Sequence, residues 1–370
     1  MLDTLDPETL ERLLGIGLAP LTLQQLAALS PHGRAHEGAH VMRVVEVQRD
    51  ALTLHDGTQA WAARALPALL QDLLDKDDAL AVGDWVLARR NAFAEWWATV
   101  RLPPLTQITR RQHDGREKAT RVVIASNVDT AFLVMGLDMD FSLRRLERYL
   151  SLVQLAGVDA VVVLTKADLC TDVGARQAQV QALLPAGAAV VAVDATHVSA
   201  QQALAPWLGR GHSVVLLGSS GTGKSTLTNT LTGRSEHDGQ STGGNRRGDG
   251  RGRHTTTARS LHITVAGGCI VDTPGLRTLR LDVDADAVQS SFDDINRLAR
   301  QCLFRNCQHQ AEPGCAVRDG VTPERLRGFQ KLLREARRDN VSALQRQQTL
   351  KMWKARSRAT RARMADKRGE

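Results

Sequence analysis

The chain contains no run of about 18 apolar residues, which excludes a membrane-spanning helix of ordinary length. Its first 30 residues carry acids from Asp3 onward and lack the basic-then-apolar layout of a secretory signal. Cytoplasmic residence, without a membrane partner, is therefore the default expectation. The five cysteines do not form a disulfide set, because Cys170 and Cys269 sit in apolar, strand-like surroundings and the other three gather around one histidine. Helicase-type motifs are also lacking, which disfavours an ATP-driven nucleic-acid enzyme. What is present is ordinary for a globular protein: 370 residues, 42% hydrophobic and 24% charged, with room for two or three domains.

Charge is unevenly placed. The net charge is +8, yet residues 324–370 alone carry 15 Lys or Arg against 5 Asp or Glu. Such a basic segment favours a polyanionic partner with salt-sensitive affinity, although a solvated helix face carries similar charge.

Hydrophobic periodicity divides the chain into regions. Residues 1–36 read as a helical N-terminal extension of two short amphipathic helices, broken at Gly15, Gly17 and Pro20. Within residues 37–111, short β-like runs at 41–47, 51–54, 60–63, 85–88 and 96–100 alternate with turns such as Asp56-Gly57. That spacing suggests a small barrel, of which the OB-fold is one kind that binds nucleic acid. Trp61, Trp85, Trp96 and Trp97 suit either base stacking or the barrel core, and the core is the commoner fate. Residues 112–283 alternate strands with helices, as in a mostly parallel α/β sheet. The expected strands are 130–135, 160–164, 189–193, 214–217, 261–265 and 269–271, and the expected helices 143–155, 173–184, 200–208 and 224–231. Residues 284–370 read as helical, then cysteine-rich, then a long basic helix.

Gly218-Ser219-Ser220-Gly221-Thr222-Gly223-Lys224-Ser225 follows an apolar run and matches the phosphate-binding loop. Successive backbone N–H groups can curl around phosphate oxygens at a helix N-terminus, and glycines permit the close approach. Lys224 is expected on the β- and γ-phosphates, and Ser225, followed by Thr226, on Mg²⁺. About 50 residues later, Asp272-Thr273-Pro274-Gly275 ends another apolar run. Asp272 is placed to hold Mg²⁺ through water, and Gly275 to donate its N–H to the γ-phosphate. Between them residues 236–253 hold six glycines and end in His254-Thr255-Thr256-Thr257. That composition suits a switch loop ordered by Mg²⁺ through a threonine, here Thr256 in preference to its neighbours.

Upstream of the phosphate loop lies Thr165-Lys166-Ala167-Asp168, in the form of a guanine-reading motif. Asp168 can accept from the N1–H and exocyclic amine of guanine, whereas adenine would face it with an acceptor, and the Lys166 stem can lie on the base. Thr165 stands where many GTPases carry Asn. The motif ordinarily follows the phosphate loop, so the reversed order points to a circular permutation. Near the C-terminus, Cys302-x4-Cys307-x-His309-x5-Cys315 supplies a closed tetrahedral ligand set, which implies one structural zinc.

Together these motifs resemble the ribosome-small-subunit-dependent GTPase family known as RsgA or YjeQ, over about residues 40–330. The resemblance rests on the permuted order, G-S-S-G-T-G-K-S-T, G-R-H-T-T-T, D-T-P-G and C-x4-C-x-H-x5-C. It implies an N-terminal OB-fold, a permuted P-loop GTPase domain and a C-terminal helical zinc-binding domain. It also implies GTP hydrolysis stimulated by the small (30S) ribosomal subunit late in its assembly, with 16S rRNA, GTP and GDP as partners; a monomeric chain is the default expectation. Leu276 follows D-T-P-G where Ras-type enzymes carry the water-orienting glutamine, and the family's candidate for that role corresponds to His254. A base-contacting segment is expected after Val193, which here reads Asp194-Ala195-Thr196. A nucleotide-gated RNA-binding checkpoint factor with little turnover is the alternative. Permutation would also send the chain from Gly275 through residues 278–286 directly into the zinc-bearing region, so loss of the γ-phosphate could re-aim that region.

Overall fold

The computed structural model describes residues 6–29, 38–48, 51–113, 119–184, 188–234, 259–275, 288–289, 292–323, 325–334 and 336. The chain divides into two compact units, Met1–Arg280 and Leu281–Glu370.

The first unit opens with two helices, α1 (Pro7–Gly15) and α2 (Pro20–Leu29). Asp6 caps α1 by accepting the Thr9 N–H at 2.8 Å, and Pro7 occupies its first turn, where no backbone N–H is needed. Strands β1 (His40–Val47), β2 (Leu52–His55) and β3 (Ala60–Ala65) follow, then helix α3 (Pro67–Asp75) and strands β4 (Trp85–Arg90) and β5 (Trp96–Arg101). Their order β1-β2-β3-β5-β4 closes through β4–β1 pairing into a five-stranded barrel. Met42, Val44, Leu54, Val86, Ala88 and Ala98 fill its interior. A hairpin of β6 (Gln107–His113) and β7 (Ala119–Ser126) leads out of it.

Next come β8 (Thr130–Gly136), α4 (Leu143–Leu155), β9 (Asp159–Thr165), α5 (Val173–Gln181), β10 (Ala189–Ala192), α6 (Ser199–Leu204), β11 (Ser213–Leu217), α7 (Lys224–Thr232), β12 (Ser260–Ile263) and β13 (Cys269–Asp272). The strands β10-β9-β8-β11-β13 lie side by side and parallel. Every residue of β8, β11 and β13 is buried, which explains why these strands are built on continuous apolar runs, with polar residues only at their ends, rather than alternating ones. Strand β12 runs antiparallel to β13 and also pairs with β1 through Ser260 and Glu46, so one sheet of eleven strands runs from the nucleotide-type core into the barrel.

A buried arginine reinforces that junction. Arg43 on β1 is wholly inaccessible. It donates to the Ile16 carbonyl just beyond α1, to Ser213 Oγ of β11 at 2.8 Å and to the Asn127 carbonyl at 2.8 Å. A Cβ on Gly17, whose φ is +92°, would stand 2.6 Å from both the Arg43 guanidinium and Ser213 Oγ, so only glycine fits there. The N-terminal helix is thus wedged between barrel and sheet: Gly211 donates its N–H to Gly15 O at 3.0 Å, and Gly57 of the β2–β3 turn abuts Arg12.

In the second unit, α8 (Asp293–Ala299), α9 (Ala316–Gly320) and helical residues 325–334 share a small core of Phe292, Ile295, Val317, Phe329 and Leu332. Phe292 and Phe329 pack with ring centroids 5.1 Å apart, and Arg325 forms a two-toothed pair with Asp294 at 2.6 and 2.9 Å.

Candidate nucleotide and metal sites

The phosphate loop joins β11 to α7, beside β8 and β13 at the carboxyl ends of the parallel strands, where open α/β sheets place their ligands. Gly221 and Gly223 both hold φ of +86°, which side chains rarely tolerate, and the chain then enters α7 at Lys224. Gly218 serves a different need: a Cβ there would lie 2.3 Å from the Val134 carbonyl of β8. Lys224 is buried and donates to the carbonyls of Gly218 at 3.0 Å and Ser219 at 2.5 Å. Burial pushes its ammonium down to about 8, with Asp272 and Asp140 opposing that fall. Thr222 is buried and donates to the Ser219 carbonyl, tightening the arc. Ser220 lies opposite Gly275, where a Cβ would stand 2.5 Å from the Ser220 nitrogen. Thr226 follows Ser225 in the first turn of α7.

Asp272 ends β13 fully buried, with Oδ2 3.4 Å from the Ser225 hydroxyl. An oxygen pair of this kind fits a hard divalent ion such as Mg²⁺. Thr273 beside it donates to the Leu216 carbonyl at 2.5 Å and so ties the D-T-P-G turn to β11.

The guanine-type motif meets this loop from the other end of the chain order. Thr165, the last residue of β9, is fully buried and donates its hydroxyl to the Thr222 carbonyl at 2.6 Å. Lys166 adopts the left-handed conformation, φ +59°, and donates to the Gly221 carbonyl at 2.8 Å while pairing with Asp138. Asp168 stands exposed on the single 3₁₀ turn that follows, and its side chain makes no hydrogen bond among the described residues. Asp194-Ala195-Thr196 lies alongside: Val193 O accepts the Ala167 N–H at 3.3 Å, Asp194 accepts from Thr196 Oγ1 at 2.6 Å, and Thr230 of α7 donates to Ala195 O at 2.7 Å. His254, Thr255, Thr256, Thr257, Leu276 and the segments 236–253 and 278–286 lie outside the described residues.

Three side chains missed in the sequence border the loop. Asp138 and Asp140 occupy the turn after β8, and Arg145 is in the first turn of α4. Arg145 pairs with Asp140 and donates to Ser219 Oγ at 2.5 Å. No motif marks them; the usable signal was an Asp-x-Asp one residue beyond a wholly buried strand.

In the second unit, one ligand atom from each of Cys302, Cys307, His309 and Cys315 lies within 4.8 Å of the others. His309 Nδ1 is 3.7 Å from Cys302 Sγ and 3.4 Å from Cys315 Sγ, and those two sulfurs are 4.0 Å apart. A tetrahedral zinc with its usual bond lengths separates ligand atoms by about 3.5–3.8 Å, so the set fits that ion. His309 is held at φ +57° with its carbonyl accepting from Gln330 at 2.9 Å. Glu312 accepts the N–H groups of Gln308, Gln310 and Ala311, bonds that pull its carboxyl down to about 2 and brace the ligand loop.

Comparison with known proteins identifies similar chains. The family model described as RsgA GTPase matches residues 104–282. The Small ribosomal subunit biogenesis GTPase RsgA of Xylella fastidiosa strain 9a5c is 44% identical over 296 residues, covering 78% of this chain and 84% of that protein. Its namesake in Xanthomonas campestris pv. campestris strain B100 is 42% identical over 304 residues, covering 80% and 81%. Among solved structures, YjeQ from Thermotoga maritima superposes with a TM-score of 0.58 at 22% identity, over 80% of this chain and 98% of that one. YloQ, a circularly permuted GTPase, gives 0.56 at 21%, over 83% and 98%. These solved structures share the fold, and at this level of identity to the curated relatives the chain belongs to the RsgA GTPase family.

Proposed function

We propose that this chain is a GTP hydrolase that binds the small (30S) ribosomal subunit and acts late in its assembly, its turnover stimulated by that subunit. The observation that carries the reading is the pair of contacts from Thr165 and Lys166 to Thr222 and Gly221, which sets a guanine-type motif against a phosphate loop encountered later in the chain. In this reading Thr165, Lys166 and Asp168 serve the guanine. The segment from Gly218 to Thr226, with Asp272 and Gly275, serves the phosphates. Ser225, Asp272 and Thr256 would hold Mg²⁺, which neutralises phosphate charge when bound, and Cys302, Cys307, His309 and Cys315 would hold one structural zinc. Hydrolysis proceeds by positioning and electrostatics, with Lys224 on the phosphates and His254 orienting water.

The domain division that goes with this is a helical extension over 1–36, an OB-fold over 37–111, the permuted GTPase over 112–283 and the zinc-binding region over 284–370. The OB-fold and the basic segment 324–370 suit 16S rRNA as the contacted surface, for a monomer working in the cytoplasm. No helix among the described residues is long and apolar enough to cross a membrane.

The test is GTP turnover with and without 30S particles, for wild type and His254→Ala. Stimulated multiple turnover in the wild type, lost in the variant, is the expected result. Tight nucleotide-gated binding without turnover would favour a checkpoint factor. Undiminished stimulation in His254→Ala would remove that residue's role.

A further inference from the structure

The turn between β8 and α4 reads Leu137-Asp138-Met139-Asp140-Phe141-Ser142. Met139 is fully exposed, while the acids on either side each engage a cation. Asp138 pairs with Lys166, which also reaches Gly221 O at 2.8 Å. Asp140 pairs with Arg145, whose Nη1 also reaches Ser219 Oγ at 2.5 Å. Acids two residues apart are thus bridged, through one cation each, to phosphate-loop residues two residues apart. The first bridge belongs to the guanine motif. No motif accounts for the second.

Three features separate this second bridge from an ordinary surface ion pair. Ser219 is only 9% exposed, and its hydroxyl is also hydrogen-bonded to Tyr149, one turn further along α4, whose phenol burial pushes up to about 12. The second oxygen of Asp140 is buried with no hydrogen-bond partner, a costly way to keep a carboxylate if stability were its only purpose. Ser219 is also one of the two residues whose carbonyls hold Lys224, so whatever fixes Ser219 fixes the lysine's starting position.

We propose that Arg145, oriented by Asp140, is a positioning residue for the nucleotide phosphates: it locks Ser219 and thereby the arc from Gly218 to Gly221 in the conformation that cradles them. This rests on the reading of the loop as a guanine-nucleotide site.

The full-length chain carries the test, with guanosine, GDP and GTP affinities and steady-state turnover measured for wild type, Arg145→Met, Arg145→Lys, Ser219→Ala and the Arg145→Met/Ser219→Ala double variant. Arg145→Met should weaken GDP and GTP about tenfold, the scale of one hydrogen bond to a charged group, and raise KM by the same factor. Turnover at saturating GTP should stay within about twofold, because the guanidinium acts through the loop and not on the reacting atoms. Arg145→Lys should recover part of the loss, and the double variant should be no weaker than Arg145→Met alone. Guanosine, which lacks phosphates, should bind all variants alike. Wild-type GDP affinity in Arg145→Met, equal losses for guanosine and GDP, or additive losses in the double variant would each overturn the proposal. A wild type with no preference for GTP over ATP would instead overturn the reading beneath it.

Discussion

The contact between Thr165 and Thr222 is one of the points at which the two halves of the permuted core touch, and it can be broken without disturbing shape. Thr165→Val replaces the hydroxyl by a methyl group at a fully buried position. Two losses follow. The 2.6 Å hydrogen bond disappears, and the Thr222 carbonyl is left facing an apolar group. Together these cost about 2 kcal/mol on the usual scale for a broken buried hydrogen bond. Thr222 sits between two glycines at φ +86°, and the Thr165 hydroxyl is the side-chain donor that holds its carbonyl. Most of the cost should therefore appear as loosening of the phosphate arc, and it should be recovered as weaker nucleotide binding, roughly thirty-fold in Kd. Calorimetric titration with GDP measures this directly, and Thr165→Ser, which keeps the donor, should bind within about threefold of wild type. If Thr165→Val bound GDP as tightly as wild type, the contact would be incidental and the case for a joint guanine and phosphate site would lose its main support.

Other consequences can be checked as simply. Cys302→Ser should abolish binding of one zinc equivalent per chain and expose the second unit to proteolysis, read by metal analysis and limited digestion, while GDP affinity of the first unit remains unchanged. Asp84, fully buried in the barrel, is pushed by burial up to about 6 despite Arg101 at 3.8 Å and the Ala81 N–H at 2.8 Å. The folded chain then holds the proton more tightly than the unfolded one, so stability falls as pH rises through the interval from the ordinary carboxylate value to about 6, by about 3 kcal/mol in all. Asp84→Asn should therefore gain on wild type between pH 4 and pH 7 in urea midpoints followed by tryptophan fluorescence; a difference that does not change with pH would refute this.

Much of the architecture was readable because burial imposes recognisable patterns. Helix α4 runs over the same residues that its apolar spacing marks, and the central parallel strands begin or end within a residue or two of their apolar runs. Departures have local causes. The expected helix 200–208 breaks into α6 and a 3₁₀ turn over Ala205–Trp207, because Pro206 lacks an N–H to continue it. The expected strand 261–265 stops at Ile263, where Thr264 turns back on Gly268 and Gly267 takes φ +92°. The β6–β7 hairpin was not foreseen, because Thr109, Arg110, Arg111 and Gln112 make β6 a mostly polar run. Helix α3 was overlooked although Leu69 and Leu73, one turn apart, carry its buried face. At the candidate site the phosphate loop announces itself through glycines that backbone geometry demands. The bridge from Asp140 through Arg145 to Ser219 does not, because its second step is a hydrogen bond between residues 74 positions apart, which leaves no spacing rule in the chain.

Strand β12 has one neighbour in the nucleotide sheet and another in the barrel, and Arg43 pins the same seam from beneath. Turning the barrel would mean tearing main-chain bonds and stranding a guanidinium away from water. The barrel therefore serves as a fixed handle: a large surface that grips it also sets the angle at which the phosphate cleft is presented, before any nucleotide arrives.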